Sequence, residues 1–283
     1  MKRLALAWLL LTGTAQAADP PFSQQRLDWN KPLKPFHLIA NIYYVGPAGV
    51  SSFLIVTPQG DILTDGALPE SAPMIEKNIR ALGFKLSDVK ILLNSHAHFD
   101  HSGGLAQLKR DTGAKLYAGA PDVPILESGH IAFGPAAKID APPVPVDHPV
   151  HDGETVSLGG VTLTAHVMPG HTPGCTTWTM PVEGKTVMFF CSISVAGNPL
   201  VGNTAHPQIV REYRGSFARL KTMKADIFLA PHGEQFGLAG KLARRKPGAP
   251  NPFIDPGELQ RFTATAEADF DAALARQRAA AKP

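Results

Sequence analysis

Four possible metal ligands, His96, His98, Asp100 and His101, lie within six residues of the chain. Imidazole nitrogen and carboxylate oxygen are donors that Zn²⁺ favours. One tetrahedral ion that also takes ligands from elsewhere does not need four donors from a single turn, so this spacing predicts a site for two metal ions. The alternative is a solvated, histidine-rich turn that binds no metal.

Two further histidines lie in similar surroundings. His171 belongs to a Gly- and Pro-rich stretch at 168–174, and His232 lies between Pro231 and Gly233. Each follows a predicted strand, where loops on a rigid scaffold carry function. Either one alone would more often be a structural residue, but with the first turn they bring the number of donors to six. The donors form two groups: His96, His98 and His171 in the first, and Asp100, His101 and His232 in the second. Three imidazoles with an open fourth position are what a catalytic zinc ion requires.

Apolar patterning predicts two blocks of strands, each followed by helices, and therefore a mixed α/β protein. The first block has predicted strands at 41–46, 51–57, 61–64, 89–94 and 114–118, with helices at 72–82 and 104–110. The second has predicted strands at 154–158, 161–167, 176–180, 186–190 and 226–229, with a helix at 207–223. A last helix is predicted from Asp255, because Pro256 and Glu258 follow it at the positions typical of a helix start.

The N-terminus has the pattern of a cleaved export signal. Lys2 and Arg3 precede an apolar stretch at 4–11, and Ala15-Gln16-Ala17 resembles a cleavage site. The apolar stretch is too short for a membrane-spanning helix. We therefore expect cleavage after Ala17 and a mature periplasmic chain of residues 18–283 without a membrane anchor. The alternative is an N-terminal anchor that is never cut.

The composition of the chain excludes some classes of protein. Loss of Lys2 and Arg3 lowers the formal net charge from +3 to +1, and a nearly neutral chain argues against a nucleic-acid-binding protein. The length suffices for one large domain with its own core, and nothing in the sequence requires more than a monomer. The two cysteines, Cys175 and Cys191, are compatible with one disulfide in an exported protein.

The motifs together resemble those of the metallo-β-lactamase superfamily. The matching residues, in order, are Asp65 after a strand, His96-x-His98-x-Asp100-His101, Gly170-His171-Thr172 and His232. The resemblance covers nearly the whole of residues 18–283 and implies one domain with a four-layer αββα sandwich, in which two mixed β-sheets face each other. It also implies two Zn²⁺ ions in the two ligand groups, with Asp65 supporting the metal loop. An ordinary turn aspartate is the alternative for Asp65.

One stretch distinguishes branches of the superfamily. Many of its hydrolases carry a metal-bridging aspartate on the strand after the Gly-His-Thr loop, whereas residues 186–201 contain no acidic residue. The chain is most similar here to the subclass B3 β-lactamases, which have serines in this stretch. The resemblance implies that Ser192 and Ser194 donate hydrogen bonds to a substrate carboxylate. The alternative is that these serines satisfy only nearby backbone groups.

The same resemblance bears on the cysteines. It places Ser192 on the side of the metals, and neighbouring residues on a strand point to opposite faces. Cys191 would then point away from the metals and form a disulfide with Cys175. The alternatives are two buried thiols, or Cys191 as a metal ligand.

The resemblance implies zinc-dependent hydrolysis of the β-lactam amide bond of penicillins, cephalosporins and carbapenems, and hence antibiotic resistance. A hydroxide that bridges the two ions would attack the carbonyl, since zinc lowers the pKa of bound water to about 7. Asp100 would orient this hydroxide and relay a proton. The first alternative is a hydrolase of the same fold that acts on a lactone or thioester. The second is an exported zinc-binding protein without catalysis, although structural zinc sites are closed.

Overall fold

Two β-sheets pack face to face and form the centre of the protein. The structure is a computed structural model that describes residues 22–281, so the predicted export signal lies outside the described residues. Ile42, Ile62 and Leu93 of the first sheet share one apolar core with Trp178 and Val187 of the second. Burial of these facing side chains removes apolar surface from water and holds the two sheets together.

The first sheet has seven strands in the order of the sequence. They are β1 (Phe36–Ile39), β2 (Ile42–Tyr44), β3 (Phe53–Ile55), β4 (Asp61–Thr64), β5 (Val89–Leu93), β6 (Lys115–Gly119) and β7 (His148–Val150). Strands β1 to β4 are antiparallel, and β4 to β7 are parallel. Strand β5 lies between β4 and β6, and all of its residues except Lys90 are buried, which agrees with its apolar run from Ile91 to Leu93.

The second sheet has five strands in the order β12-β11-β10-β9-β8. They are β8 (Thr155–Leu158), β9 (Val161–Val167), β10 (Thr176–Val182), β11 (Lys185–Phe189) and β12 (Ile227–Leu229). Strands β8 to β11 are antiparallel, whereas β12 is parallel to β11. Both sheets are therefore mixed, as expected.

Helices cover the outer face of each sheet. They are α1 (Ser23–Trp29), α2 (Ala72–Ala81), α3 (Phe99–Ser102), α4 (Leu105–Thr112), α5 (Val123–Ser128), α6 (Ile209–Thr222), α7 (Leu238–Arg244) and α8 (Glu258–Ala280). Ile75 of α2 and Leu108 of α4 pack against Leu92 of the first sheet, while Phe217 of α6 and Phe270 of α8 join the core under the second. The four-layer αββα sandwich is thus confirmed. None of the helices described between residues 22 and 281 is long and apolar enough to cross a membrane.

The predicted elements exist, but several boundaries differ. The last helix begins at Glu258, three residues after the predicted start. Asp255 accepts a hydrogen bond from the Gly257 backbone N–H at 3.2 Å, whereas Glu258 binds Lys241 instead of completing a capping box. The sequence pattern also missed α1, α5, α7, β1 and β7, which are short elements held by tertiary packing.

Candidate metal centre

The first ligand loop leaves the carboxyl end of β5. The loop runs from Asn94 to His98, and the chain then turns into α3, which carries Asp100 and His101. His98 has an extended backbone, and its carbonyl accepts hydrogen bonds from the backbone N–H of His101 at 3.0 Å and from the Ser102 hydroxyl at 3.0 Å. All four predicted ligands of this loop are buried.

Asp65, at the end of the neighbouring strand β4, holds the start of this loop. Its Oδ1 accepts hydrogen bonds from the Ser95 backbone N–H at 2.7 Å and from Asn94 Nδ2 at 3.0 Å. The backbone of Asp65 has a φ of 54°, in the left-handed region that aspartate tolerates better than most residues. Burial raises the pKa of its carboxyl to about 6, and His101 opposes the shift. These hydrogen bonds connect the end of β4 to the start of the loop that carries His96 and His98.

The second ligand loop connects β9 to β10 and carries His171. Gly170 has a φ of 132°, and a Cβ at this position would lie 2.9 Å from the Tyr213 ring, so only glycine fits. His171 Nδ1 lies 2.7 Å from the carbonyl oxygen of Ser194. Because a carbonyl only accepts hydrogen bonds, this contact places the ring proton on Nδ1 and leaves the lone pair of a neutral ring on Nε2.

The third ligand loop follows β12 and carries His232. The backbone N–H of Ser51 donates to the Pro231 carbonyl at 2.7 Å, and Val50 forms a β-bridge with His232. A Cβ on Gly233 would lie 2.5 Å from the Ala48 carbonyl oxygen, which explains the glycine at this position. These contacts fix His232 against the loop between β2 and β3.

The three loops converge and produce the same two groups that the sequence predicted. His96, His98 and His171 offer ligand atoms that lie within 4.8 Å of one another, and so do Asp100, His101 and His232. In the first group the Nε2 atoms of His96 and His171 lie 3.1 Å apart. In the second group the Nε2 atoms of His101 and His232 lie 3.2 Å apart.

These separations fit metal ions. Zinc–nitrogen bonds of about 2.0–2.1 Å at tetrahedral angles place two ligand nitrogens roughly 3.3 Å apart. His171 Nε2, which carries the lone pair that the Ser194 contact leaves free, lies 3.1 Å from His96 Nε2, a separation that suits two ligands of one ion. The donor chemistry, the spacing and the tautomer are therefore all suited to zinc or a similar divalent metal.

The electrostatics of the metal-free site also favour ligation. Burial lowers the pKa of His98 and of His232 to about 4, so both rings are neutral at pH 7. Burial raises the pKa of Asp100, but the neighbouring His101 outweighs it and holds this pKa well below the ordinary value. Burial lowers the pKa of His101, but the Asp100 carboxylate outweighs burial and raises this pKa above its ordinary value. Neutral imidazoles and an ionised carboxylate are the forms that bind metals, so these shifts favour ligation by His98, His232 and Asp100, whereas a metal would have to displace a proton from His101.

A cavity of about 320 Å³ opens above the two groups. Phe22, Trp29 and Phe99 form an aromatic wall on one side, and their ring centroids lie 5.7–6.3 Å apart. Ser194 and Asn198 lie on another side of the cavity. A concave, largely apolar site with a few polar groups is typical of a small-molecule binding site.

The two predicted substrate-binding serines differ in position. Ser194 lines the cavity, whereas Ser192 is buried and lies beneath it, with the two Oγ atoms 3.5 Å apart. Strand β11 ends at Phe189, so strand alternation does not orient the residues after it. A disulfide between Cys175 and Cys191 anchors this segment to the start of β10 instead. Cys191 is therefore not placed as a metal ligand.

Two features of this region were not predicted from the sequence. The aromatic wall includes Phe22 and Trp29, which flank or belong to α1, a helix without a detectable sequence pattern. The other is Asp122, a fully buried aspartate between β6 and α5. An aspartate between two prolines in Pro121–Pro124 resembles an ordinary turn, and only the structure reveals its contacts.

The αββα fold and the paired ligand groups define a metal-dependent hydrolase. The chain belongs to the metallo-β-lactamase superfamily, whose family model matches residues 45–232. Solved structures of subclass B3 metallo-β-lactamases are similar over most of the chain. BJP-1 from Bradyrhizobium japonicum is 48% identical, with a TM-score of 0.85, over 90% of this chain and 98% of that one. FEZ-1 from Legionella gormanii is 41% identical, with a TM-score of 0.84, over 88% of this chain and 98% of that one.

Curated relatives match a smaller part of this chain. A hydroxyacylglutathione hydrolase from Hyphomonas neptunium is 38% identical over 81 residues, which are 29% of this chain and 25% of that protein. The chain therefore spans only about a quarter of the length of that relative. The broader class, a hydrolase of the metallo-β-lactamase fold acting on a small molecule, is common to both sets of relatives.

Proposed function

We propose that this protein hydrolyses the amide bond of β-lactam antibiotics with two zinc ions. The observation that carries the proposal is the pair of ligand groups under one cavity, on a chain similar along nine-tenths of its length to subclass B3 metallo-β-lactamases. In the proposal His96, His98 and His171 hold the first ion, and Asp100, His101 and His232 the second. When bound, such ions polarise a carbonyl and lower the pKa of water.

Residues of the chain have distinct parts in this proposal. The ionised carboxylate of Asp100 lies 3.4 and 3.5 Å from the Nε2 atoms of His101 and His232, where it would orient the attacking water and relay a proton. The Ser194 carbonyl keeps the His171 ring in one tautomer. The Ser194 hydroxyl, at the cavity surface, donates to the substrate carboxylate directly, and Ser192 supports Ser194 from below. The aromatic wall supplies apolar contacts to the bound substrate.

A second candidate function is hydrolysis of a thioester or lactone. The curated matches to hydroxyacylglutathione hydrolases support this candidate. The sequence of 186–201 argues against it, because this stretch lacks the metal-bridging aspartate expected in that branch. Without a bridging aspartate, the second ligand group leaves more room for a substrate carboxylate or a leaving nitrogen.

Turnover of a chromogenic cephalosporin by the zinc-loaded protein tests the proposal, with S-lactoylglutathione and a homoserine lactone assayed in parallel. We expect rapid cephalosporin hydrolysis that is lost with a chelator and restored with Zn²⁺. Cleavage of the thioester or lactone alone would favour the second candidate. Two bound zinc ions without hydrolysis of any of the three would favour a binding protein.

A pair of histidine variants supplies the control. His98→Ala removes a proposed ligand of the first ion, so we expect cephalosporin turnover and one zinc equivalent to be lost. His130→Ala changes an exposed histidine that lies 2.8 Å from Asp140 outside the cavity, and it should leave both unchanged. Equal activity in the two variants would contradict the proposed ligand set.

We further propose that the chain is exported and works as a periplasmic monomer. The sequence of residues 1–17 and the Cys175–Cys191 disulfide support export. Cell fractionation with N-terminal sequencing should find a periplasmic protein that begins at Ala18. A cell-associated protein that retains the first 17 residues would contradict it. Sedimentation velocity should give a single species of monomer mass.

A further inference from the structure

Asp122 lies outside both ligand groups but contacts two of the three ligand loops. Its carboxylate is fully buried. Oδ2 accepts hydrogen bonds from the Ala97 backbone N–H at 3.0 Å and from the Thr172 hydroxyl at 2.7 Å. Oδ1 accepts a hydrogen bond from the Gly174 backbone N–H at 2.6 Å. Such charge-assisted hydrogen bonds are stronger than neutral ones.

The three donors belong to the segments that carry the first ligand group. Ala97 lies between His96 and His98, and Thr172 follows His171 directly. One carboxylate therefore connects the loop after β5 to the loop after β9. The second ligand group has no such tie, because Asp122 has no hydrogen bond to Asp100, His101 or His232 among the described contacts.

Glycine at position 174 makes this contact possible. A Cβ there would lie 2.5 Å from the Asp122 backbone nitrogen and 2.8 Å from its Cγ. A Cβ on Gly119, at the end of β6, would lie 2.1 Å from the Gly174 carbonyl oxygen. The turn that carries Asp122 thus packs directly against the backbone of the His171 loop, and the carboxylate has little freedom to move.

We propose that Asp122 is a positioning residue that sets the separation of the His96–His98 segment from His171 and thereby the zinc affinity of the first ligand group. The inference rests on the proposed metal centre, but it does not depend on the substrate. Hydrogen-bonding partners of metal ligands typically change metal affinity by about 10- to 100-fold when they are removed.

The isosteric variant Asp122→Asn tests the proposal. Its amide carries one oxygen and one NH₂ group, so at least one of the donors, Ala97 N–H or Gly174 N–H, faces another donor. The volume of the side chain is unchanged. We therefore expect the two loops to separate slightly while the rest of the fold persists.

Single-site backgrounds separate the two metals. His232→Ala leaves only the first group complete, and His171→Ala leaves only the second. Zinc affinity is measured by competition with a chromophoric chelator. Asp122→Asn should weaken zinc binding by about 10- to 100-fold in the His232→Ala protein and far less in the His171→Ala protein. Equal losses in the two backgrounds, or no loss in either, would overturn the proposal.

Asp61→Asn is the matched control. Asp61 is also a buried aspartate that accepts a backbone hydrogen bond, here from Thr57, and it lies at the end of β4 opposite Asp65. This variant should bind zinc normally in both backgrounds. If Asp122→Asn does not fold, Thr172→Val removes one of the three hydrogen bonds and should show a smaller loss confined to the first group. A His232→Ala protein that binds no zinc at all would overturn both the metal centre and the inference.

Discussion

The indole of Trp29 lies against the imidazole of His232, with ring centroids 5.3 Å apart. Trp29 ends the first described helix, whereas His232 follows the last strand, so this contact joins distant parts of the chain. It places an aromatic surface beside the second ligand group and inside the cavity.

Trp29→Ala should weaken substrate binding more than it slows chemistry. An aromatic wall contacts substrate in the ground state and the transition state alike, and loss of such uniform binding raises KM with little change in kcat. We expect KM for a cephalosporin with an aromatic side chain to rise by about 5- to 30-fold, which corresponds to roughly 1–2 kcal/mol of lost apolar contact. Steady-state kinetics measures both constants.

Leu27→Ala is the control for this variant. Leu27 belongs to the same helix but is 67% exposed and does not line the cavity. A rise in KM with Leu27→Ala of similar size would show that the helix, not the indole, is responsible. A fall in kcat with an unchanged KM in Trp29→Ala would contradict the assigned role of the wall.

The disulfide should contribute to stability. Cys175 and Cys191 are 16 residues apart, and a loop of this length restricts the unfolded chain by about 3 kcal/mol. The double variant Cys175→Ala/Cys191→Ala should lose approximately that free energy of unfolding in a urea titration. A reducing agent should destabilise the original protein but not the double variant. Two titratable thiols in unreduced, denatured protein would show that the bridge is absent.

The two candidate ligand groups could be predicted from the sequence because their signals are local. His96 to His101 are compact in sequence and follow an apolar strand, and His171 and His232 lie in Gly/Pro-rich loops after strands. The elements of a layered fold then bring the ends of those strands together. The sandwich itself came from the resemblance, because periodicity alone gave only a mixed α/β protein.

Asp122 and the aromatic wall could not be found in this way. The three hydrogen bonds of Asp122 join segments that are 25 to 52 residues away in sequence. Trp29 meets His232 only through packing of a seven-residue helix that is too short to be stable alone. Ser192 and Ser194 show a related limit, since the strand that was expected to orient them ends at Phe189.

The metal-free protein should lose stability as the pH falls from about 6.5 to 4. The folded-state pKa of His98 and of His232 is about 4 because of burial, against about 6.5 when unfolded. Between these values the unfolded chain binds more protons, so the free energy of unfolding rises with pH. Each histidine contributes about 3 kcal/mol above pH 6.5 relative to below pH 4. Burial of Asp65 and Asp122 raises their pKa to about 6 and opposes this change with a similar size. The loss that remains comes from His96 and His171, because burial also holds the pKa of both rings well below the ordinary value.

Urea titrations of chelator-treated protein between pH 4.5 and 8 check this prediction. Excess Zn²⁺ should raise stability and move the loss to lower pH, because protons and metal compete for the same nitrogens. Stability that is independent of pH, or that increases steadily on acidification of the metal-free protein, would contradict it.

Asp65 offers a graded test of how the first loop is held. Asp65→Asn keeps an oxygen that can accept from Ser95 N–H, and asparagine tolerates the left-handed backbone at this position. Asp65→Ala removes both hydrogen bonds and leaves the buried Ser95 N–H without this partner. We expect zinc affinity to fall by about 10- to 100-fold in Asp65→Ala and by less than about tenfold in Asp65→Asn. Equal losses would mean that the negative charge, and not the hydrogen bonds to the loop, is what the metal centre requires.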